Sequence, residues 1–446
     1  MPVMEATDEV VDLLQHLIRN RCVNDGTAGS GHEARSVDTI GSYLGHSGFD
    51  VERYEPLPGR QSLLARMSGS DPEAPGLLLM GHTDVVPVTE ENWQRDPFGG
   101  EVVDGEVWGR GAVDMLNLTA SMAVAFRRLA DSGFRPRGDL LYLAVADEEA
   151  LGTHGADWLT AHESDAVRAR YVITESGGIP IPTPDGVRLP VIVGEKGAFW
   201  CRLIVRGTPG HASQPLRTDN ALIKAAEVVT RIGAYRPEAH ILEAWREFVG
   251  SLGLPGDLAE ALVDPDRVQE TCESLPAIGM ARQAHACTHT TFAPTIMHAG
   301  TKTNVIPDRV VLEVDIRTLP GQGSAEVRAM LDEALGDLAS EVTIESLADD
   351  PASESRRDTP LWESFQRVAS GFYPDSKVVP FLMTGATDAR FFRRLGSDAY
   401  GFGLFSRNIS FDRYSSMFHG DDERVDVESL GLSAAMWEAL ARDFLG

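Results

Sequence analysis

The sequence predicts an α/β protein: a mostly parallel sheet with helices on both faces, interrupted by a smaller ferredoxin-like α+β domain. Three observations predict it. Short continuous apolar runs, of the kind expected for strands covered on both faces, alternate with helix-like stretches up to about residue 195. From Gly197 the pattern changes to a βαββαβ order, and after about residue 360 the helix–strand alternation resumes. At 446 residues the chain is also longer than one hydrophobic core usually supports.

The elements follow in order. The opening segment Met1 to Asn20 is acidic and amphipathic, with Val10, Val11, Leu13, Leu14 and Ile18 at helical spacing. Gly76 to Met80, Asp139 to Ala146 and Tyr171 to Thr174 are the buried strands, and Met115 to Leu129 is a helix. In the second region Phe199–Val205, Thr291–Met297, Val310–Ile316 and Glu341–Ser346 read as strands. Thr218–Ile232 and Ala325–Leu335 read as its helices, and a segment rich in helix formers, about 235–290, follows the first of them. The polar stretch Asp349–Thr359 is the expected return linker. The expected domains are therefore 1–196 and 351–446, forming one unit, with 197–350 inserted between them.

Composition excludes several classes. Acidic residues (67) outnumber basic ones (40), the formal charge is −27, and no basic stripe marks a nucleic-acid partner. No apolar run approaches membrane-spanning length, and the N-terminus lacks the basic start and apolar stretch of a signal peptide, so a cytoplasmic protein is expected. The four cysteines, Cys22, Cys201, Cys272 and Cys287, show no metal spacing and are expected to be reduced core residues.

The chemistry sits in five short motifs: Gly81-His82-Thr83-Asp84, Gly109-Arg110-Gly111-Ala112-Val113-Asp114, Asp147-Glu148-Glu149, Thr174-Glu175-Ser176 and Phe418-His419-Gly420. Three directly follow strand-like runs, where an α/β sheet gathers its ligands. Two imidazoles and several carboxylates suit a pair of zinc-like ions. His82 is placed to point into a cleft at the sheet's carboxyl edge, and Asp84, two residues on, either accepts the other ring N–H of His82 or caps a turn. Asp114, after a glycine-rich turn, can bridge two cations or cap the following helix. The side chains of Glu148 and Glu149 diverge, so that one can ligate a metal while the other faces a bound water as general base. Glu175 repeats the strand-end arrangement.

These motifs and their order resemble the co-catalytic di-zinc metallopeptidase and deacylase family of carboxypeptidase G, aminoacylase, succinyl-diaminopimelate desuccinylase, acetylornithine deacetylase and carboxypeptidase S. The resemblance spans nearly the whole chain. Besides the five motifs it rests on Trp93 with Asp96-Pro97-Phe98, Gly210-His211-Ala212-Ser213, Asn304-Val305-Ile306-Pro307 and Gly385-Ala386-Thr387-Asp388. It implies a three-layer α/β/α zinc-peptidase-like catalytic domain with an inserted dimerisation or lid domain. It implies two Zn²⁺ ions per subunit, with Co²⁺ or Mn²⁺ as possible substitutes: His82, Asp114 and Glu175 on one, and Asp114, Glu149 and His419 on the other. Glu148 would be the general base, acting on a hydroxide held between the ions, and Asp84 the partner of His82. His211 would reach a neighbouring subunit's site and stabilise the oxyanion, while Asn304, Arg317 and Gly385 would hold the substrate.

The implied reaction is hydrolysis of peptide or N-acyl amino acid amides with a free carboxylate, by a homodimer with no membrane partner. A small-metabolite deacylase is the enzymatic alternative, and a metal-binding protein without turnover the alternative of another class. Two departures from the family pattern, Met115-Leu116-Asn117 for Met-Lys-Gly and Leu151 where a glycine is common, speak against a desuccinylase-type assignment, and the first of them together with the long insert favours the carboxypeptidase S-like and acyl-amino-acid branch.

Overall fold

The computed structural model describes residues 2–45 and 48–446; Met1, the first residue of the expected N-terminal amphipathic segment, lies outside them. The amphipathic segment forms α1 (Pro2–Arg19). The larger sheet has ten strands. Its main members are β1 (Asp50–Leu57), β2 (Arg60–Met67), β3 (Leu77–His82), β4 (Leu140–Val145), β5 (Tyr171–Thr174) and β6 (Gly186–Glu195). The strands β4, β3 and β5 lie side by side and parallel, with Leu77 opposite both Leu140 and Tyr171.

Both faces of this sheet are covered, as the unbroken apolar runs require. Side chains alternate across β3, so Leu77 and Leu79 enter one core and Leu78 and Met80 the other. The first core is closed by α1, by α2 (Leu116–Asp131) and by the C-terminal helix Val427–Leu445.

The smaller domain holds four antiparallel strands: β7 (Gly197–Arg206), β8 (Thr291–Ala299), β9 (Arg309–Thr318) and β10 (Val342–Asp350). Their spatial order is β8-β9-β7-β10, the ferredoxin-like arrangement for a βαββαβ chain. The inward residues Phe199, Cys201, Leu203 and Val205 alternate along β7 and meet helices Ala221–Ala234 and Ser324–Leu335. The first of these helices begins three residues later than the sequence reading, because Asn220 accepts the Leu222 N–H (2.9 Å) and acts as its cap.

One placement differs from expectation. The segment 235–290 folds into helices Glu243–Ser251, Gly256–Leu262, Val268–Ser274 and Ile278–Thr288. It does not add to the core of the smaller domain, with which it was grouped. Trp245, Phe248 and Val249 instead pack with Ile192 of β6 and with Val379 and Phe381 of β11 (Ser376–Met383), on the larger sheet. The physical reason is area: the helices of the smaller domain already cover the apolar face of its sheet, whereas the edge formed by β6 and β11 still has apolar side chains to cover. The four cysteines are buried and unpaired.

Candidate metal centre

The site is assembled at the carboxyl ends of adjacent strands. His82 closes β3, Asp147 to Glu149 follow β4, and Glu175 follows β5. Close approach of α2 to β3 requires glycine at position 81: a Cβ there would lie 2.4 Å from Thr119 Oγ1 and 3.0 Å from Thr119 Cα. With no side chain at 81, the Thr119 hydroxyl donates to the His82 carbonyl at 2.7 Å and fixes the strand end.

Asp114 is not a helix cap. The α2 helix starts at Leu116, with Met115 in the capping position, which leaves the Asp114 carboxylate to the site. One oxygen of Asp114 lies 3.3 Å from His82 Nε2, and the other lies 3.2 Å from His419 Nε2. His419 Nε2 is also 3.1 Å from Glu149 Oε2. The five ligand-type residues thus form two groups, His82 with Asp114 and Glu175, and Asp114 with Glu149 and His419. Within each group the donor atoms lie within 4.8 Å of one another.

The tautomer of His82 follows from its contacts. Nδ1 lies 3.0 Å from the Asp84 carbonyl oxygen, which can only accept, so Nδ1 carries the proton. Nε2 then presents its lone pair towards the cleft, as a metal ligand must. Charge points the same way. Burial and the neighbouring Glu175 push the Glu148 carboxyl well above its usual range; burial and Asp114 do the same to Glu175, and raise Glu149. Burial opposes protonation of His82, but its hydrogen bond to Asp114 and the charges of Glu148 and Glu175 outweigh burial and raise it well above 6.5, so a proton sits on Nε2 where a bound cation would take its place. Two imidazoles cannot neutralise four clustered carboxylates, and Glu149 Oε1 is buried without a hydrogen-bond partner. A donor set with this excess of negative charge fits divalent cations.

Of the two roles expected for Asp84, its carboxylate takes the second, accepting backbone amides rather than the His82 ring N–H. His82 Nδ1 bonds the Asp84 backbone oxygen, while the nearest carboxylate oxygen is 3.6 Å away. That carboxylate instead accepts the backbone N–H groups of Glu148 (3.3 Å) and Glu149 (3.1 Å) and the Asn24 side chain (2.9 Å). Asn24 also donates to Asp147, which Arg60 neutralises at 3.2 Å. In an extended chain residue 84 lies closer to His82 through its carbonyl, which frees the side chain to hold the loop that presents Glu148 and Glu149.

The substrate-side residues divide. Gly385 and Arg317 line the same cleft as Asp114, Glu148 and Glu175. The Arg317 fork expected to be open for a substrate carboxylate is instead closed on Asp315, at 2.7 and 3.0 Å, because the two alternate along β9 and share a face. His211 and Asn304 lie outside that cleft, on an exposed ribbon where Gly210–His211 pairs with Val305–Ile306. The Ser213 N–H donates to His211 Nδ1 at 3.1 Å, which makes Nε2 the proton-bearing, outward nitrogen. Leu151, the residue that replaces a common glycine, adopts φ +74°, so the loop keeps a glycine-like conformation at a cost of ~1 kcal/mol.

Two residues were missed. Glu423 is fully buried and accepts the N–H groups of Gly111 (2.9 Å), Val113 (2.7 Å) and Asp114 (3.0 Å), besides pairing with Arg110 at 2.8 Å. It ends an Asp-Asp-Glu run that reads as surface charge, and nothing local distinguishes its third residue. Asp388 is buried with both carboxylate oxygens unpartnered, and burial, opposed by Arg390, pushes it up to about 7. The quoted Gly-Ala-Thr-Asp motif contained it without a role.

A family model described as peptidase family M20/M25/M40 matches residues 78–443. The N-fatty-acyl-amino acid synthase/hydrolase PM20D1 of Xenopus tropicalis is 28% identical over 380 residues, covering 84% of this chain and 73% of that protein. Aminoacylase-1 of Pongo abelii is 28% identical over 385 residues, covering 85% and 82%. Among solved structures, the M20 family metallo-carboxypeptidase Sso-CP2 of Sulfolobus solfataricus superposes with a TM-score of 0.74 at 18% identity, covering 98% of this chain and 99% of that one. The chain belongs to peptidase family M20/M25/M40.

Proposed function

We propose that this member of peptidase family M20/M25/M40 hydrolyses the amide bond of N-acyl amino acids or short peptides that carry a free carboxylate. The observation that carries the reading is the pair of ligand groups sharing Asp114, with Glu148 lining the same cleft. Relatives bearing the names aminoacylase-1 and carboxypeptidase S-like 2 support the substrate class.

His82, Asp114 and Glu175 would hold one zinc ion, and Asp114, Glu149 and His419 the other, with Co²⁺ or Mn²⁺ as substitutes. Bound there, the ions would supply Lewis acidity to the scissile carbonyl and to the attacking water. Glu148 takes a proton from that water at its carboxylate and passes it to the departing nitrogen, so water and amide become acid and amine. Asp84 holds the loop that aims Glu148. His211 from a second subunit offers its Nε2–H to the developing oxyanion, with Asn304 beside it. The homodimer would form through the smaller domain. Its edge strand β8 carries exposed Ile296 and Met297, an unusual surface for a lone subunit. The four free cysteines support a cytoplasmic setting, and among the described residues no helix is long and apolar enough to cross a membrane.

The test is a panel of dipeptides and of N-acetyl, N-succinyl and long-chain N-acyl amino acids, supplied with zinc. Wild type is expected to hydrolyse at least one class, and Glu148→Gln to lose ~10²–10⁴-fold in kcat with its metal content retained. Absence of metal-dependent hydrolysis across the panel would overturn the reading.

A further inference from the structure

The chain leaves the larger sheet at Lys196, between β6 and β7, and finally returns to it after Asp350, the last residue of β10. One short helix, Ala389–Arg394, grips both crossings with three arginines. Arg393 Nη1 donates to Glu195 Oε1 at 2.6 Å and to the Ser353 hydroxyl at 3.1 Å. Arg390 Nε lies 2.7 Å from Asp350 Oδ2, and Arg394 pairs with the other oxygen of that carboxylate.

Arg390 has a further set of attachments. Its Nη2 donates to the Leu151 carbonyl at 3.0 Å, and its Nη1 to the Thr387 carbonyl. Leu151 belongs to the turn that carries Glu148 and Glu149. Its N–H donates to the Glu148 carbonyl at 3.0 Å, and the Gly152 N–H to the Asp147 carbonyl at 2.7 Å. Thr387 belongs to the Gly385 loop, where Glu195 accepts its N–H. Arg390 is buried, and it lines the metal cleft with Leu151 and Asp350. One guanidinium therefore joins the turn of the proposed base, the Gly385 loop and the strand that leaves the smaller domain.

These bonds carry position as well as charge. Leu151 has φ +74°, a conformation that leucine keeps only where its surroundings hold it. If its carbonyl is released, the backbone relaxes by turning that peptide, and Glu148 lies in the same hydrogen-bonded turn. The three acceptors also belong to three segments, which the fork of an arginine can serve together and the single ammonium of a lysine cannot.

We propose that Arg390 is a positioning residue that couples the seating of the smaller domain to the Glu148 turn. With Asp350 in place, the guanidinium is oriented and holds Leu151, and the turn presents Glu148 to the cleft. When Asp350 withdraws, the guanidinium loses that partner and the turn relaxes. The cleft is walled from both domains, by Trp200 and Arg317 on one side and Glu148 and Glu149 on the other. The contact that brings these walls together thus also sets the base. Its effect on turnover rests on the hydrolase reading above, whereas the coupling itself does not.

The experiment measures backbone hydrogen exchange across residues 147–155 of the whole protein, beside kcat, KM and bound metal on an amide that wild type hydrolyses. Asp350→Ala is expected to speed exchange in that turn by about threefold or more, although the substitution lies in the smaller domain. It should lower kcat about 10–100-fold, with KM within about threefold and metal content unchanged. Arg390→Lys, which keeps the charge without the fork, should do the same. The double variant should be no worse than the worse single one, as for residues acting through one contact. Asp350 is partly exposed, so Asp350→Ala carries the test should Arg390→Lys fail to fold. Unchanged exchange in Asp350→Ala, full kcat in Arg390→Lys, or additive losses in the double variant overturn the coupling. No turnover by wild type overturns the hydrolase reading alone, and the exchange measurement still decides the coupling.

Discussion

The Asp84 carboxylate accepts the backbone N–H of Glu149 at 3.1 Å, across 65 residues of chain, and so binds the end of β3 to the loop that carries two of the site's carboxylates. His82 keeps its proton position through the Asp84 backbone oxygen. Asp84→Ala should therefore leave the metal content near wild type and lower kcat about 10–100-fold, because the Glu148 loop loses its anchor. Metal analysis beside steady-state kinetics checks it. Loss of metal in proportion to activity would show that the side chain acts through His82 instead.

Sharing of Asp114 between the two ligand groups has a stoichiometric consequence. Wild type should bind about two divalent ions, Glu175→Gln and His419→Ala about one each, and Asp114→Ala none. Chelation should abolish activity and lower the melting temperature, since clustered carboxylates are left facing one another. An ion at a hundred times its Kd stabilises by ~2.7 kcal/mol. Metal titration followed by calorimetry and by hydrolysis is the check.

Glu423 neutralises Arg110 and receives three amides in a site with no access to water. Glu423→Gln would turn an amide donor towards backbone donors and leave Arg110 uncompensated. A destabilisation of ~3–5 kcal/mol is expected, read by urea unfolding. A change below ~1 kcal/mol would mean that the Asp114 turn is held by something else.

His289 provides a test by pH. Burial, and after it the neighbouring His285, lowers its imidazole from 6.5 to about 4, while its ring stacks on His285 at 4.5 Å. The unfolded chain therefore binds more protons between those two values. Stability from this group is complete above pH 6.5 and is lost as pH falls through about 4. After discounting for partial screening, the loss is ~2 kcal/mol. His289→Gln should flatten the urea-midpoint profile over this window and leave it unchanged above pH 7.

How much was legible in the sequence depended on the range of the interaction. Strand ends were readable because unbroken apolar runs such as Leu77–Met80 stop within a residue or two of ligand-type side chains, here at Gly81-His82. Alternation along β9 and the capping signal before Ala221 are equally local. Arg317 misled because its partner Asp315, two residues away, occupies its fork, and a sequence motif does not show which donor is free.

The sequence by itself determined the α/β order, the ferredoxin-like insertion and the inventory of imidazoles and carboxylates at strand ends, because backbone periodicity and local patterning encode all three. Only the tertiary structure decided which of those groups meet at the Asp114 carboxylate, that Asp84 serves a loop rather than a ring, and that Glu423, 309 residues from Asp114, builds its turn. It also decided that the 235–290 helices pack against the larger sheet rather than the smaller domain. Those facts depend on hydrogen bonds and packing between segments far apart in the chain, and it is the folded path that sets which segments meet.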